Sequence, residues 1–345
     1  MARHRGEIVL AEAVGVASGL RPDETQGRST AMSVDTTFQV MSASKAVVAF
    51  AIALLEDRGL IDVRAPVARV WPEFAARGKA EITVLDVLTH RSGLVLEDLV
   101  AAPTRWRDWH TVAGAISEAP LDYPRGTLAY EAYAFGWILG EIVRRTTGRP
   151  IDDFVAEELA PDLEKLRFRS AAPRGVARNY WLGRPDFRLG RLPLAKDFET
   201  VNNGVACFEA LVPGAGMLTD GPTLTAFYSM LLKGGVLPSG RRLIRSEVLE
   251  RYIRRQGSGW DRITRAWVVF GRGLAMGWNG PHPYGWWRSG RCFGHAGGFS
   301  MLGMADPESD MSIAILTIAN RSVSDLVRRF APLTQAIRRA GRAAA

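Results

Sequence analysis

The chain has 345 residues, 47% of them hydrophobic and 23% charged, enough to bury a large core and unlike a disordered or low-complexity protein. A formal net charge of +8 raises the question of a nucleic-acid partner. The arginines are scattered in small groups such as Arg144–Arg145 and Arg254–Arg255, with no basic run interleaved with aromatics, which excludes a nucleic-acid groove.

The opening segment, "GEIVLAEAVGVAS", alternates and is rich in β-formers, so it reads as one or two strands. It begins basic but meets Glu7 and Glu12 before any apolar run of signal-peptide length. No later segment reaches the roughly eighteen apolar residues of a membrane span. The expectation is a soluble, cytoplasmic protein without a nucleic-acid or membrane partner, whose oligomeric state is left open. Residues 42–58 then place Ala46, Val47, Phe50, Ala51, Leu54 and Leu55 at helical spacing, and Gly59 stands where a left-handed cap would end the helix.

From 66 to 204 the pattern changes to helical segments broken by Pro and Gly. In "ITVLDVLTHRSGL", Thr83 can cap a helix ending near His90, and "AYAFGWILGEIVRRTTG" is amphipathic up to Gly148. Further on, Thr219 or Asp220 can start a helix that closes at Gly234. Residues 273–278, 291–304 and 311–319 alternate like strands, the last two joined by the turn "ADPESD". "VSDLVRRFAPLTQAIRRA" reads as a final amphipathic helix. Strands at both ends around a helical middle predict an α/β (α+β) fold. Residues 1–65 and 205–345 would form one discontinuous domain around an antiparallel sheet flanked by helices, with 66–204 as an inserted, mostly helical domain. The crevice between the two is where a site belongs.

Only five of the forty-four basic residues are lysine, so Lys45, three residues after Ser42, stands out. On a helix the two lie on one face within reach of each other, at the first turn, where free N–H groups favour a developing oxyanion. A serine hydroxyl becomes a nucleophile when a base takes its proton; a desolvated lysine can do so and an arginine cannot. The plain alternative is a serine N-cap followed by a solvated lysine. There is no G-x-S-x-G, HExxH, P-loop or G-x-G-x-x-G pattern. Cys207 and Cys292 are isolated, without metal spacing, and read as buried free thiols. His90 lies in the structural-looking "LTHRSGL", and His4, His110 and His282 have no carboxylate or cysteine at ligand spacing, so neither a metal nor an organic cofactor is expected.

"MSASK", "LTHRSGL", "YPRGTLAYEAYAFGWILGEIVRRTTG" and "CFGHAGGFSMLGMADPESDMSIAILTIAN", in this order, resemble the serine β-lactamase-like hydrolases: class C β-lactamases, DD-peptidases and related esterases and acyltransferases. The resemblance runs from about residue 6 to the C-terminus. It implies Ser42 as the acylated nucleophile, Lys45 as its base and Tyr130 as the proton relay. His295-Ala296-Gly297 takes the place of the third motif, with histidine where the lactamases have lysine. It also implies an oxyanion hole from the N–H groups of Ser42 and Gly298. The Tyr130 phenol, buried beside an ammonium, is expected to have a lowered pKa. Ala132 stands where lactamases and peptidases have a substrate-binding asparagine, and Glu131 is an unusual middle residue. Weak or absent β-lactamase activity and a preference for esters follow. Ala132, Gly297, Trp286 and Trp287 are candidate substrate-binding residues, and Trp278, Trp106 and Trp109 are further candidates for an apolar acyl pocket, with core packing as the alternative. The family also carries a helix and a strand ahead of "RGEIVLAEA". Hydrolysis of a small acyl substrate is the first expectation, with acyl transfer to an alcohol or amine, or a non-catalytic binding protein of the same fold, as alternatives.

Overall fold

The computed structural model describes residues 1–21, 27–100, 102–169, 175–182, 188–189, 192–193 and 198–343. The strands of the main sheet are, in chain order, β1 (Ala2–His4), β2 (Glu7–Leu10), β3 (Gly257–Trp260), β4 (Trp267–Phe270), β5 (Ala275–Met276), β6 (Phe293–Gly297), β7 (Met301–Asp306) and β8 (Met311–Leu316). They lie in the order β3-β4-β5-β6-β7-β8-β1-β2, every neighbouring pair antiparallel. The two chain ends therefore share one sheet, joined where Ala2 pairs with Ile313. Alternation explains the join: Met311 and Ile313 of β8 face a buried cluster with Ala2, Leu302, Met304, Leu326 and Phe330, so docking β1 extends an apolar face already present.

Five helices position the site: α1 (Lys45–Asp57), α2 (Val84–Leu88), α3 (Ala134–Thr147), α4 (Gly221–Leu232) and α5 (Val323–Ala343). Their ends follow local chemistry. Gly59 has φ +69° just after α1, and Gly148 caps α3 with φ +74°. Thr83 and Asp86 form a capping box ahead of α2, and the Asp220 carboxylate accepts from the N–H of Thr223 at the start of α4. α1 is buried along most of its length and packs on α3 on one side and the sheet on the other. The segment 66–204 supplies α2, α3 and the helices Trp109–Glu118 and Ile151–Leu159. It also carries short ribbons, including Tyr180–Trp181 paired in parallel with Ala319–Asn320.

The alternating segment 291–304 is broken into β6 and β7 by a turn, and the hairpin of β3 and β4 lies where no strand was expected. α5 is held to the sheet by a buried ion pair. The Arg338 guanidinium donates to Asp306 Oδ2 at 2.8 Å and to the carbonyl oxygens of Tyr284 at 3.0 Å and Trp287 at 3.2 Å. Such a pair is satisfied only because every guanidinium edge has an acceptor.

Candidate active site

Ser42 sits in a single 3₁₀ turn, Met41–Ser44, that runs directly into α1. Met41 takes φ +48°, a left-handed conformation costly for any residue that carries a Cβ. The turn is held by its surroundings: Val40 N donates to Met217 O at 2.9 Å, and Ser44 Oγ donates to Met41 O at 2.5 Å while accepting from Met217 N at 3.1 Å. β6 lies against the same turn. A Cβ on Gly297 would fall 2.1 Å from the Val40 carbonyl oxygen, so only glycine lets the strand approach this closely. Gly297 is thus a packing residue beneath Ser42, whereas Gly298, with φ +54°, lines the cleft.

Lys45 is fully buried one turn further on. Its Nζ lies 2.6 Å from Ala132 O, 2.8 Å from Gly214 O and 3.3 Å from Ser42 Oγ, with the Tyr130 ring centroid at 5.1 Å. Gly214 reaches it because Gly136 of α3 lies back to back with it: a Cβ on Gly136 would sit 2.0 Å from Gly214 N. Burial pulls the Lys45 pKa down to about 7, with the Glu131 carboxyl opposing. As an ammonium Lys45 donates to all three oxygens; as a neutral amine it keeps the two carbonyls and turns its lone pair to the Ser42 hydroxyl.

Tyr130 packs over this group, its ring centroid 5.1 Å from Lys45 Nζ, and its phenol is electrostatically coupled to the Ser42 hydroxyl. Burial pushes the phenol's pKa up, the reverse of the sequence expectation. The expectation assumed a neighbouring ammonium; with Lys45 near neutrality at physiological pH, desolvation dominates and Tyr130 remains a phenol. His295, on β6, has its ring centroid 6.2 Å from that of Tyr130. Its Nδ1 lies 2.6 Å from Ala296 O, which places the proton on Nδ1 and leaves Nε2 as a buried lone pair without a partner among the described residues. Burial and the charge of Lys45 lower its pKa to about 3, against the Ala296 carbonyl, so the ring is neutral.

The structure thus brings Ser42, Lys45, Tyr130 and His295 together with Gly298 and Ala132. Ala132 contributes its carbonyl to Lys45 and its methyl to the cleft wall. Trp286 and Trp287 do not reach this cleft. Both are about half exposed; Trp287 lies against α5, with Arg339 and Arg342 over its ring at 5.5 and 5.3 Å and its backbone N–H donating to Gln335 Oε1. Trp106 and Trp109 are packing residues of the helical segment, their indoles donating to Leu99 O and to Glu141. Trp278 does line the cleft, as does Trp267 of β4, which the sequence reading passed over. His90 was also passed over. It is buried under Tyr130, ring centroids 4.7 Å apart, and its Nδ1 accepts from the Glu131 N–H at 3.2 Å. Its place in "LTHRSGL" was the available signal, and in the structure His90 itself takes a left-handed φ of +57°.

The cleft has a volume of about 260 Å³. Its walls are apolar, with Met41, Tyr133, Trp267, Phe270, Trp278 and Phe299 prominent, and α5 contributes Val323 and Leu326. Among the described lining residues there is no Asp, Glu, Lys or Arg. The two histidines, His295 and His282, both have lowered pKa values, about 3 and about 4, chiefly through burial.

A family model described as Beta-lactamase matches residues 1–336. The esterase/beta-lactamase LipL of Mycobacterium tuberculosis is 29% identical over 323 residues, covering 86% of this chain and 72% of that relative. Among solved structures, a penicillin-binding protein homologue from Caulobacter crescentus superposes with a TM-score of 0.78 at 25% identity, over 96% of this chain and 91% of that one. A family VIII carboxylesterase superposes with a TM-score of 0.72, also at 25% identity, over 87% of this chain and 84% of that one.

Proposed function

Because the chain belongs to the beta-lactamase family, we propose that it is a serine esterase working through an acyl-enzyme on Ser42. The observation that carries this reading is the environment of Lys45 Nζ, whose N–H groups are taken by two carbonyls and whose remaining direction is Ser42 Oγ. In acylation the Ser42 oxygen attacks the ester carbonyl carbon and Lys45 takes its proton. The oxyanion of the tetrahedral intermediate is assigned to the N–H groups of Ser42 and Gly298. As the carbon–oxygen bond to the leaving alcohol breaks, Tyr130 hands a proton to that oxygen and is reprotonated from Lys45. Water then adds to the acyl-enzyme, losing its proton to the same pair, and the acid leaves as Ser42 recovers its hydrogen. No step calls for a metal or an organic cofactor.

The substrate class follows from the walls. An uncharged, aromatic-rich cleft suits neutral apolar acyl esters and offers no cation to a carboxylate. Ala132 provides no side-chain amide for an acylamino group. β-Lactam turnover is therefore expected to be weak beside ester turnover. The same apolar walls favour an organic alcohol or amine over water as acyl acceptor, so transfer is the second reading.

The decisive experiment is labelling by a fluorophosphonate, followed by peptide mapping. Modification at Ser42, absent in Ser42→Ala, is the expected result. An unlabelled wild-type protein that still binds esters would make it a non-catalytic member of the family.

A further inference from the structure

Between Tyr130, which faces the nucleophile, and Ala132, whose carbonyl holds Lys45, stands a fully buried carboxyl group. Glu131 Oε1 accepts from Ser92 N at 3.0 Å and Ser92 Oγ at 2.8 Å. Ser92 Oγ in turn accepts from Leu94 N at 3.2 Å, so the hydroxyl proton is committed to Glu131. Glu131 Oε2 is buried without a partner among the described residues, and the Glu131 N–H is tied to His90. No arginine or lysine ion-pairs with it among the described residues. The titratable groups that face it are Lys45, His90 and, more remotely, Asp86. Those that face Lys45 are Glu131, Tyr130, His90 and His295. Both imidazoles are held neutral, His90 by burial above all, so neither supplies charge at neutral pH.

We propose that Glu131 is a positioning residue with two tasks: it pins the Tyr130–Ala132 segment to the Ser92 turn, and its buried carboxyl is the charge partner of the Lys45 amine held by the next carbonyl of that segment. The two tasks share one geometry. The backbone that Glu131 anchors is the backbone whose next carbonyl lies 2.6 Å from Lys45 Nζ. Burial alone drives Lys45 away from its protonated form, and a base too weak abstracts a proton poorly. The Glu131 carboxyl works in the opposite direction on Lys45, and Lys45 does the same for Glu131, whose own pKa is raised chiefly by burial. The site is thus a buried amine and a buried acid that together hold one mobile proton.

This inference rests on the esterase reading for its kinetic arm, and a second arm is independent of turnover. Glu131→Gln keeps an oxygen for both Ser92 donors but cannot ionise; Glu131→Ala loses both functions. In Glu131→Gln the acid limb of kcat/KM for a neutral p-nitrophenyl ester should move to lower pH by about one unit, with a lower plateau. Glu131→Ala should lose about tenfold or more across the whole pH range. A limb that stays in place in Glu131→Gln overturns the electrostatic role, and an unaltered Glu131→Ala overturns both. The independent arm is a double-mutant cycle in urea unfolding, with Glu131→Gln, Lys45→Met and the double variant. Coupling of at least about fivefold in the unfolding equilibrium is expected, and additivity overturns the proposal even if the protein never turns over an ester. Failure of the esterase reading is seen separately, as absence of fluorophosphonate at Ser42 in the wild type.

Discussion

Among the described residues Lys45 and Lys79 are both wholly buried and both held by carbonyls, and what else lies beside them differs. Lys79 Nζ donates to Ser117 O at 2.9 Å and Ala119 O at 2.5 Å, and lies 5.8 Å from the Phe74 ring centroid. Lys45 also donates to two carbonyls and also lies over an aromatic ring. Burial lowers the pKa of both. Lys79, however, closes the C-terminal end of the helix Trp109–Glu118, where carbonyls need donors and the dipole favours a cation. Lys45 has Ser42 Oγ at 3.3 Å and a phenol beside it. Burial of a lysine is therefore no sign of catalysis by itself; the third neighbour decides.

The comparison breaks most visibly if both lysines are exchanged for arginine. Lys45→Arg keeps the charge and removes the base, and kcat/KM should fall about 10²- to 10⁴-fold, measured on a neutral ester. Lys79→Arg should leave the rate within about a factor of three, since nothing it touches faces the cleft. Equal losses in the two variants would mean that Lys45 acts by packing alone. Stability should separate them the other way. Lys79→Met strips the donor from the Ser117 and Ala119 carbonyls, and unfolding in urea should show a loss of about 1–3 kcal/mol with an unchanged rate.

The elements that can be read from the chain before any fold is known are those set by near neighbours in sequence. The α1 periodicity, the Thr83 cap, Gly148 and the start at Thr219 or Asp220 all act within a turn of their own position and occur where expected, while the reciprocal bond from Asp86 came with the structure. Ser42 and Lys45 were legible for the same reason, helped by the scarcity of lysine. Tyr130 and His295 needed the family pattern, because their meeting depends on β6 packing against the Ser42 turn. What stayed hidden was set by burial across the fold. Trp286 and Trp287 read as pocket residues because they neighbour Trp278, yet both are about half exposed outside the cleft, and Trp287 lies against α5. The direction of the Tyr130 shift was misjudged because charge was weighed without desolvation. The β3–β4 hairpin, "GSGW" and "WVVF" around a charged turn, lacks the clean alternation that marks a strand.

pH distinguishes the two lysines next. In the proposed mechanism Lys45 acts only as a free amine, and with its pKa lowered to about 7 the logarithm of kcat/KM should rise by about one per pH unit below 7 and level off above it. The linked stability has a definite sign. A lysine that protonates near 7 when folded and at 10.5 when unfolded makes the unfolded state bind more protons between those values, so this contribution to stability grows as pH rises from 7 towards 10.5. Lys45→Met should lack that rise, read from urea midpoints at pH 7 and 9. A kcat/KM profile that is flat from pH 5.5 to 8 would remove Lys45 as the base.

The smallest expected effect concerns what the cleft accepts, and it depends on the same amine. Above pH 7 Lys45 is neutral, His295 and His282 are neutral, and no charged side chain lines the described walls, so a substrate carboxylate entering the cleft loses its water without gaining a partner. Two aryl esters of equal acyl length, one ending in a methyl group and one in a carboxylate, should then differ by about tenfold in kcat/KM at pH 8, in favour of the methyl. At pH 6 much of Lys45 carries a proton just behind Ser42, and the ratio should shrink even as both absolute rates fall. Lys79, capped by its helix and facing away from the cleft, should leave the ratio untouched when changed to Met. A ratio that stays constant from pH 6 to 8 would show that the discrimination comes from the shape of the walls and that the charge of Lys45 is not felt at the acyl end.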